Sequence, residues 1–171
     1  MGLAYRSGQF FRALTARLTP NDLVLAEEFL PACLRPLFHR LRRPDQVHAI
    51  SVLRSVLLSG ERDPDLLAAA LLHDVGKTAV PLHLWERVLI VLAGRLSPKA
   101  TRRWGQAHPQ GWRRAFVVAR RHPEWGAAMV RQAGGSERLV NLILHHQVES
   151  EGTSPNPDPL LAILRRADGD N

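Results

Sequence analysis

His48, the adjacent pair His73 and Asp74, His122, the adjacent pair His145 and His146, and Asp168 are the side chains of this chain best suited to chemistry. Imidazole nitrogens and carboxylate oxygens hold divalent first-row metals, and Mn, Fe and Mg all suit a mixed set of this kind. Several of these residues interrupt segments that otherwise read as buried helix. An unpaired charge there is strongly disfavoured, so the series reads first as a metal site. The number of imidazoles favours a transition metal. A carboxylate with two oxygens can bridge two ions, which makes Asp74 the natural centre of a dinuclear site, and Asp168 supplies a second carboxylate.

The elements that must position these groups are helices. Apolar residues recur at helical spacing nearly everywhere and no long stretch alternates with a period of two, so the fold class is all-α. Thr19-Pro20-Asn21-Asp22 opens a helix to about residue 30, and Pro31 and Pro36 restart or kink the chain. Pro44 and Gly60 bound a helix over 43–59, with His48 near its start. Asp63-Pro64-Asp65 caps the next, over 66–75, which is apolar all round and therefore the central buried helix. His73 and Asp74 emerge at its C-terminal end, where Gly76 can terminate it. Further helices are expected over 82–93, 98–104, 110–121, 123–133, 137–148 and 159–167, with a Pro- and Gly-rich loop over 151–157.

At 171 residues the chain suits one domain with a proper core. No apolar run reaches the roughly 18 residues that a membrane span needs, and Arg6, Arg12 and Arg17 break the layout of a secretory signal, so a cytoplasmic location is expected. Cys33, the only cysteine, excludes an internal disulfide and a thiolate zinc cluster. The net charge of +7 comes mainly from Arg dispersed along the chain, which reads as a solvated face. Nucleic acid is accordingly not the expected partner; binding by charge alone would fall steeply with salt and ignore metal. Trp85, Trp104, Trp112 and Trp125 read as packing residues, and His39, His83 and His108 as surface or local hydrogen-bonding groups. Residues 1–18 can form an amphipathic helix that docks on the domain. Oligomeric state is left open.

Leu71-Leu72-His73-Asp74-Val75-Gly76-Lys77 resembles the H-D-[IV]-G-K signature of the HD superfamily of metal-dependent phosphohydrolases. Gln46-Val47-His48 resembles the segment carrying that family's first His. Arg121-His122-Pro123-Glu124-Trp125-Gly126-Ala127 resembles the H-P-E-x-G-A segment of its HDIG and HD-GYP branch, and Leu144-His145-His146-Gln147 resembles that branch's H-H-E. Leu164-Arg165-Arg166-Ala167-Asp168 is similar to the segment ending in its terminal metal-binding Asp. The G-Y-P signature is absent and Gln147 stands where Glu is usual, which argues against cyclic-di-GMP hydrolysis.

The resemblance implies a single compact helical HD-domain bundle over 43–171, with a helical insertion at about 82–103 and an N-terminal helical extension over 1–42 packing on it. It implies that His48, His73, Asp74 and Asp168 hold one divalent metal. Asp74 would bridge to a second held by His122 and His145, with His146 as a further ligand or an outer group. Pro44 occupies the position where some relatives have a carboxylate for a third ion, so no more than two are expected. The bridging water would be the nucleophile, since metal can lower the pKa of bound water to roughly 7. Lys77, one helical turn beyond the pair, would steady a phosphoryl oxygen as a point charge. The implied activity is hydrolysis of a phosphate ester or anhydride in a phosphorylated small molecule or nucleotide. The alternative is a catalytically silent regulatory HD domain that binds metal or nucleotide.

Overall fold

The computed structural model describes residues 17–147 and 158–170, and the regular elements among them are all helical. In chain order they are α1 (Pro20–Phe29), α2 (Arg35–Arg40), α3 (Arg43–Leu58), α4 (Pro64–Leu72), a 3₁₀ turn (Val75–Thr78), α5 (Leu84–Leu96) and α6 (Pro98–Trp104). A second 3₁₀ turn (Gly111–Arg113) leads into α7 (Arg114–Gln132), followed by α8 (Glu137–His145) and α9 (Pro159–Gly169). The chain is thus an all-α bundle, as the periodicity predicts. No helix among the described residues is long and apolar enough to cross a membrane. The loop expected over 151–157 and nearly all of the amphipathic segment expected over 1–18 lie outside the described residues.

Local chemistry sets where the helices start. Thr19 and Asp22 form a reciprocal cap, the Asp22 carboxylate accepting from the Thr19 amide at 2.8 Å. At α4 the Asp63 carboxylate accepts from the amides of Asp65 and Leu66 at 3.0 and 3.1 Å, and Pro64 takes the first helical position, where no amide is needed. Every residue from Leu66 to Leu72 is buried. Helices α1, α2, α3, α8 and α9 surround α4, and Ala26, Leu30, Phe38 and Leu41 from the first forty-odd residues join the same apolar core.

Several boundaries differ from expectation, three of them near the candidate site. Helix α4 stops at Leu72, not at 75; His73 is its C-cap and the chain tightens at once into the 3₁₀ turn. The two helices expected over 110–133 are one, α7, with Pro123 inside it. A proline inside a helix forfeits the hydrogen bond to the carbonyl four residues before it, here Ala119, and sets its ring against that carbonyl. Burial of Phe116, Val117, Val118, Ala127 and Val130 on both sides of the break keeps the helix continuous. Helix α8 ends at His145 rather than at 148.

Helices α5 and α6 lie against α7, where Leu82, Ala115 and Val118 form a second small core with Val80, Ile90 and Trp125. Two ion pairs fasten α5. Glu86, 1% exposed, receives both branches of Arg114 at 2.6 and 2.8 Å, and Arg114 holds its carboxyl at about 2. Arg87 makes a two-point pair with Asp45 at 2.8 and 2.9 Å, three residues before His48. Trp104 and Trp112 pack edge to face with each other, and both meet Phe116. Trp85 departs from the packing role expected of it and is exposed.

Candidate metal centre

Three imidazoles are held in the same way. His73 Nδ1 donates to the Ala70 carbonyl at 3.0 Å, His122 Nδ1 to the Val118 carbonyl at 3.0 Å and His146 Nδ1 to the Ile143 carbonyl at 2.7 Å. Each ring thus turns back on the preceding turn of its own helical segment. At the ends of α4 and α8 the upstream carbonyls lack helical amides and need such donors. With Nδ1 carrying the proton, Nε2 keeps its lone pair, the tautomer that ligates a metal. All three rings are buried, and the three Nε2 atoms point into one space.

Asp74 stands in that space. Its Oδ1 lies 3.2 Å from His122 Nε2, and its Oδ2 lies 3.6 Å from His73 Nε2 and 2.5 Å from the Lys77 ammonium. His122 Nε2 is 3.4 Å from His146 Nε2. On the other side, Asp168 Oδ1 is 2.9 Å from His48 Nε2 and 3.4 Å from His73 Nε2. Two donor groups result, His48 with His73 and Asp74, and Asp74 with His122 and His146, sharing Asp74. Asp168 adjoins the first.

The approach of Asp74 to His122 depends on a crossing of backbones. A Cβ on Gly76 would sit 1.9 Å from the His122 carbonyl oxygen and 2.6 Å from the Gly126 nitrogen. Only glycine therefore lets the 3₁₀ turn lie on α7. Gly126 faces it, where an added Cβ would meet the Gly76 nitrogen at 3.2 Å.

The electrostatics are those of a site built for cations. Burial alone would raise the Asp74 carboxyl, but the Lys77 ammonium and the imidazoles of His73 and His122 hold it well below the usual carboxylate range. Asp168 is likewise held low against burial, by hydrogen bonding from His48 and by His73. For His73, burial pushes down, and the carboxylates of Asp74 and Asp168 outweigh it, so its pKa lies above the ordinary histidine value. His146 is pushed down to about 3, by burial first and then by the neighbouring His73 and His122.

These residues fit a divalent metal. His73 Nε2 is buried without a hydrogen-bond partner, which is the condition of a donor atom whose acceptor is an ion. Every imidazole but His48 has its second nitrogen fixed on a carbonyl, as ligating histidines do.

His145, which the resemblance implies for the second ion, belongs to neither donor group, and His146, its further ligand or outer group, stands beside His122. One residue step turns a helix by about 100°, so the adjacent rings diverge. His146, at the C-cap, folds back on Ile143, and His145 instead lines a cavity beside α7. The Gln147 amide nitrogen reaches to 3.4 Å from His122 Nε2. Asp45, Glu86, Arg87 and Arg114 escaped the sequence reading. Charged residues in an amphipathic helix read as a solvated face, and no local pattern shows that Arg87 reaches back to Asp45.

A helical bundle that gathers imidazoles and carboxylates from five separate segments around one shared aspartate defines an all-α protein with a candidate metal centre. The family model for the HD domain matches residues 46–169, most of the chain, and this protein belongs to that family. Comparison with curated proteins and with solved structures gave no match.

Proposed function

We propose that this protein is a divalent-metal-dependent phosphohydrolase that cleaves a phosphate ester or anhydride of a nucleotide-like substrate. The observation that carries this reading is the convergence of three buried Nε2 atoms, each with Nδ1 tied to a carbonyl, on the two oxygens of Asp74. His48, His73, Asp74 and Asp168 would hold one ion, and Asp74, His122 and His146 a second. Bound there, the ions would supply Lewis acidity and bring the pKa of a coordinated water to roughly 7.

The chain's own groups account for the rest. Asp74 stays ionised at any physiological pH and offers one oxygen to each donor group. The side chain of Lys77 is 34% exposed and its ammonium is paired with Asp74, where it would meet a phosphoryl oxygen brought to the centre. The buried rings of His73, His122 and His146 close the inner wall against water.

The test is turnover of a phosphate panel (nitrophenyl esters, mono-, di- and oligonucleotides, cyclic dinucleotides) by wild type and Asp74→Ala, each assayed for bound Mn²⁺. Mn²⁺-dependent turnover that falls by at least about a hundredfold in Asp74→Ala is the expected result. Full metal occupancy in the wild type with no turnover across the panel would replace this reading with that of a silent regulatory domain.

A further inference from the structure

Helix α5 has two faces of opposite character. Glu86, held by Arg114, and Ile90, in the second small core, set one of them against α7. Trp85, Val88, Leu92 and Leu96 follow one another at intervals of three and four residues, which places them within about 80° of each other on the far side of the helix. All four are exposed, Trp85 by 57% and Leu96 by 85%. Of the large apolar side chains exposed among the described residues, all but Val24 and Leu58 fall between Trp85 and Trp112. The same part of the chain is strongly basic: from Arg87 to Pro123 it has nine Lys and Arg and no Asp or Glu. Lys99 stands three residues beyond Leu96, and Lys99, Arg103 and Arg113 are exposed. Arg113 lies over the Trp112 ring, 5.2 Å from its centroid.

We infer that this face is a docking surface for an anionic lipid bilayer, with α5 lying along the membrane–water interface. Val88, Leu92 and Leu96 enter the acyl boundary, Trp85 sits at headgroup level, where an amphipathic ring is favoured, and Lys99, Arg103 and Arg113 meet lipid phosphates. Charge complementarity decides among the occupants. A second copy of the chain would bring one basic stretch against another, and like charges across an interface cost affinity. A nucleic acid answers the cations through its phosphates but offers a row of aliphatic side chains nothing to bury against. An anionic bilayer supplies both partners, hydrocarbon for the stripe and phosphate for its basic flank. At 13 residues α5 is about 20 Å long, so it lies in the interface and does not cross it. The pairs of Glu86 with Arg114 and of Arg87 with Asp45 hold the helix in place, so the face is formed before it meets a membrane.

The test is co-sedimentation of the full chain, at about 0.1 M and about 1 M salt, with vesicles of phosphatidylcholine alone and of phosphatidylcholine with about 30 mol% phosphatidylglycerol. Affinity for the anionic vesicles is expected to exceed that for the neutral ones by about tenfold or more at the lower salt, and to lose most of that advantage at the higher. The double variant Leu92→Asp with Leu96→Asp, and separately Lys99→Glu with Arg103→Glu, should each weaken anionic binding by about tenfold or more. Their thermal melts should match wild type, since all four positions are exposed. Absence of vesicle binding, equal binding to both vesicles, or unchanged affinity in either variant would overturn the inference. A dimer in sedimentation velocity that Leu92→Asp with Leu96→Asp dissociates, without vesicle binding, would overturn it by giving the face to a second copy. Binding of duplex DNA in place of vesicles would overturn it in favour of a nucleic acid. The experiment needs neither metal nor turnover, so its outcome is independent of the phosphohydrolase reading.

Discussion

His73 carries the proton that decides how the centre takes up metal. Its pKa is raised, so the metal-free fold holds a proton there that the unfolded chain would release sooner. That stabilisation is complete below the ordinary histidine value of 6.5 and is lost as pH rises through the raised pKa. A ligating imidazole must be neutral, so metal has to displace this proton, whereas His146, with its pKa near 3, has none to give. We therefore expect uptake of Mn²⁺ to release about one proton, and affinity to rise by about tenfold per pH unit below the His73 pKa. Calorimetry at about pH 6, below that raised pKa, in two buffers of different ionisation heat measures this, and zero release there would mean that His73 is not a ligand. At this scale much of the centre was legible. His48, His73, Asp74, His122, His146 and Asp168, which the fold gathers, stand out in the sequence as polar interruptions of helical segments. The choice between His145 and His146 was not legible, because it depends on where α8 ends, and a shift of one residue there swings a ring to another face.

Two glycines show how elements, rather than donors, set the geometry. Gly76 and Gly126 allow the 3₁₀ turn to rest on α7, and the obstacles to a Cβ at Gly76 are backbone atoms, which cannot swing aside as a side-chain tip could. Gly76→Ala should therefore destabilise the fold by about 3 kcal/mol and part Asp74 from His122. Gly94→Ala, in α5 with open space around it, should instead gain about 0.5 to 1 kcal/mol from helix propensity. Urea midpoints of the two variants check the pair, and equal effects would show that the crossing is not tight. The existence and order of the helices could be read from period and caps, as with Asp63-Pro64 before α4. The continuity of α7 through Pro123 could not, since local chemistry favours a break there and only burial on both sides overrides it. The same holds for the seat of α5, which is fastened by Glu86 with Arg114 and by Arg87 with Asp45, pairs that no local spacing announces.

For the molecule as a whole, local pattern does not reveal which distant segments meet, and the meeting of His48 with Asp168 was legible only through the family resemblance. Helix α9 packs against α3, α4 and α8, and this brings Asp168 to His48 across 120 positions of chain. That pairing has a mechanical meaning. An ion shared by His48 and Asp168 would be a clasp, tying the two ends of nearly the whole bundle together in the folded state and stabilising that state by mass action, since the unfolded chain does not keep the two donors together. At a free ion concentration a hundred times the dissociation constant the clasp would add about 2.7 kcal/mol, or roughly 5 to 10 °C in melting temperature for a domain of this size. Scanning calorimetry with Mn²⁺ and with EDTA should show that gain in the wild type and its loss in His48→Ala; a melt indifferent to Mn²⁺ would show that no ion joins these two residues. A cell short of the metal would then hold less of the protein as well as a less active one, because chains without the clasp unfold more often and are the ones that proteases reach.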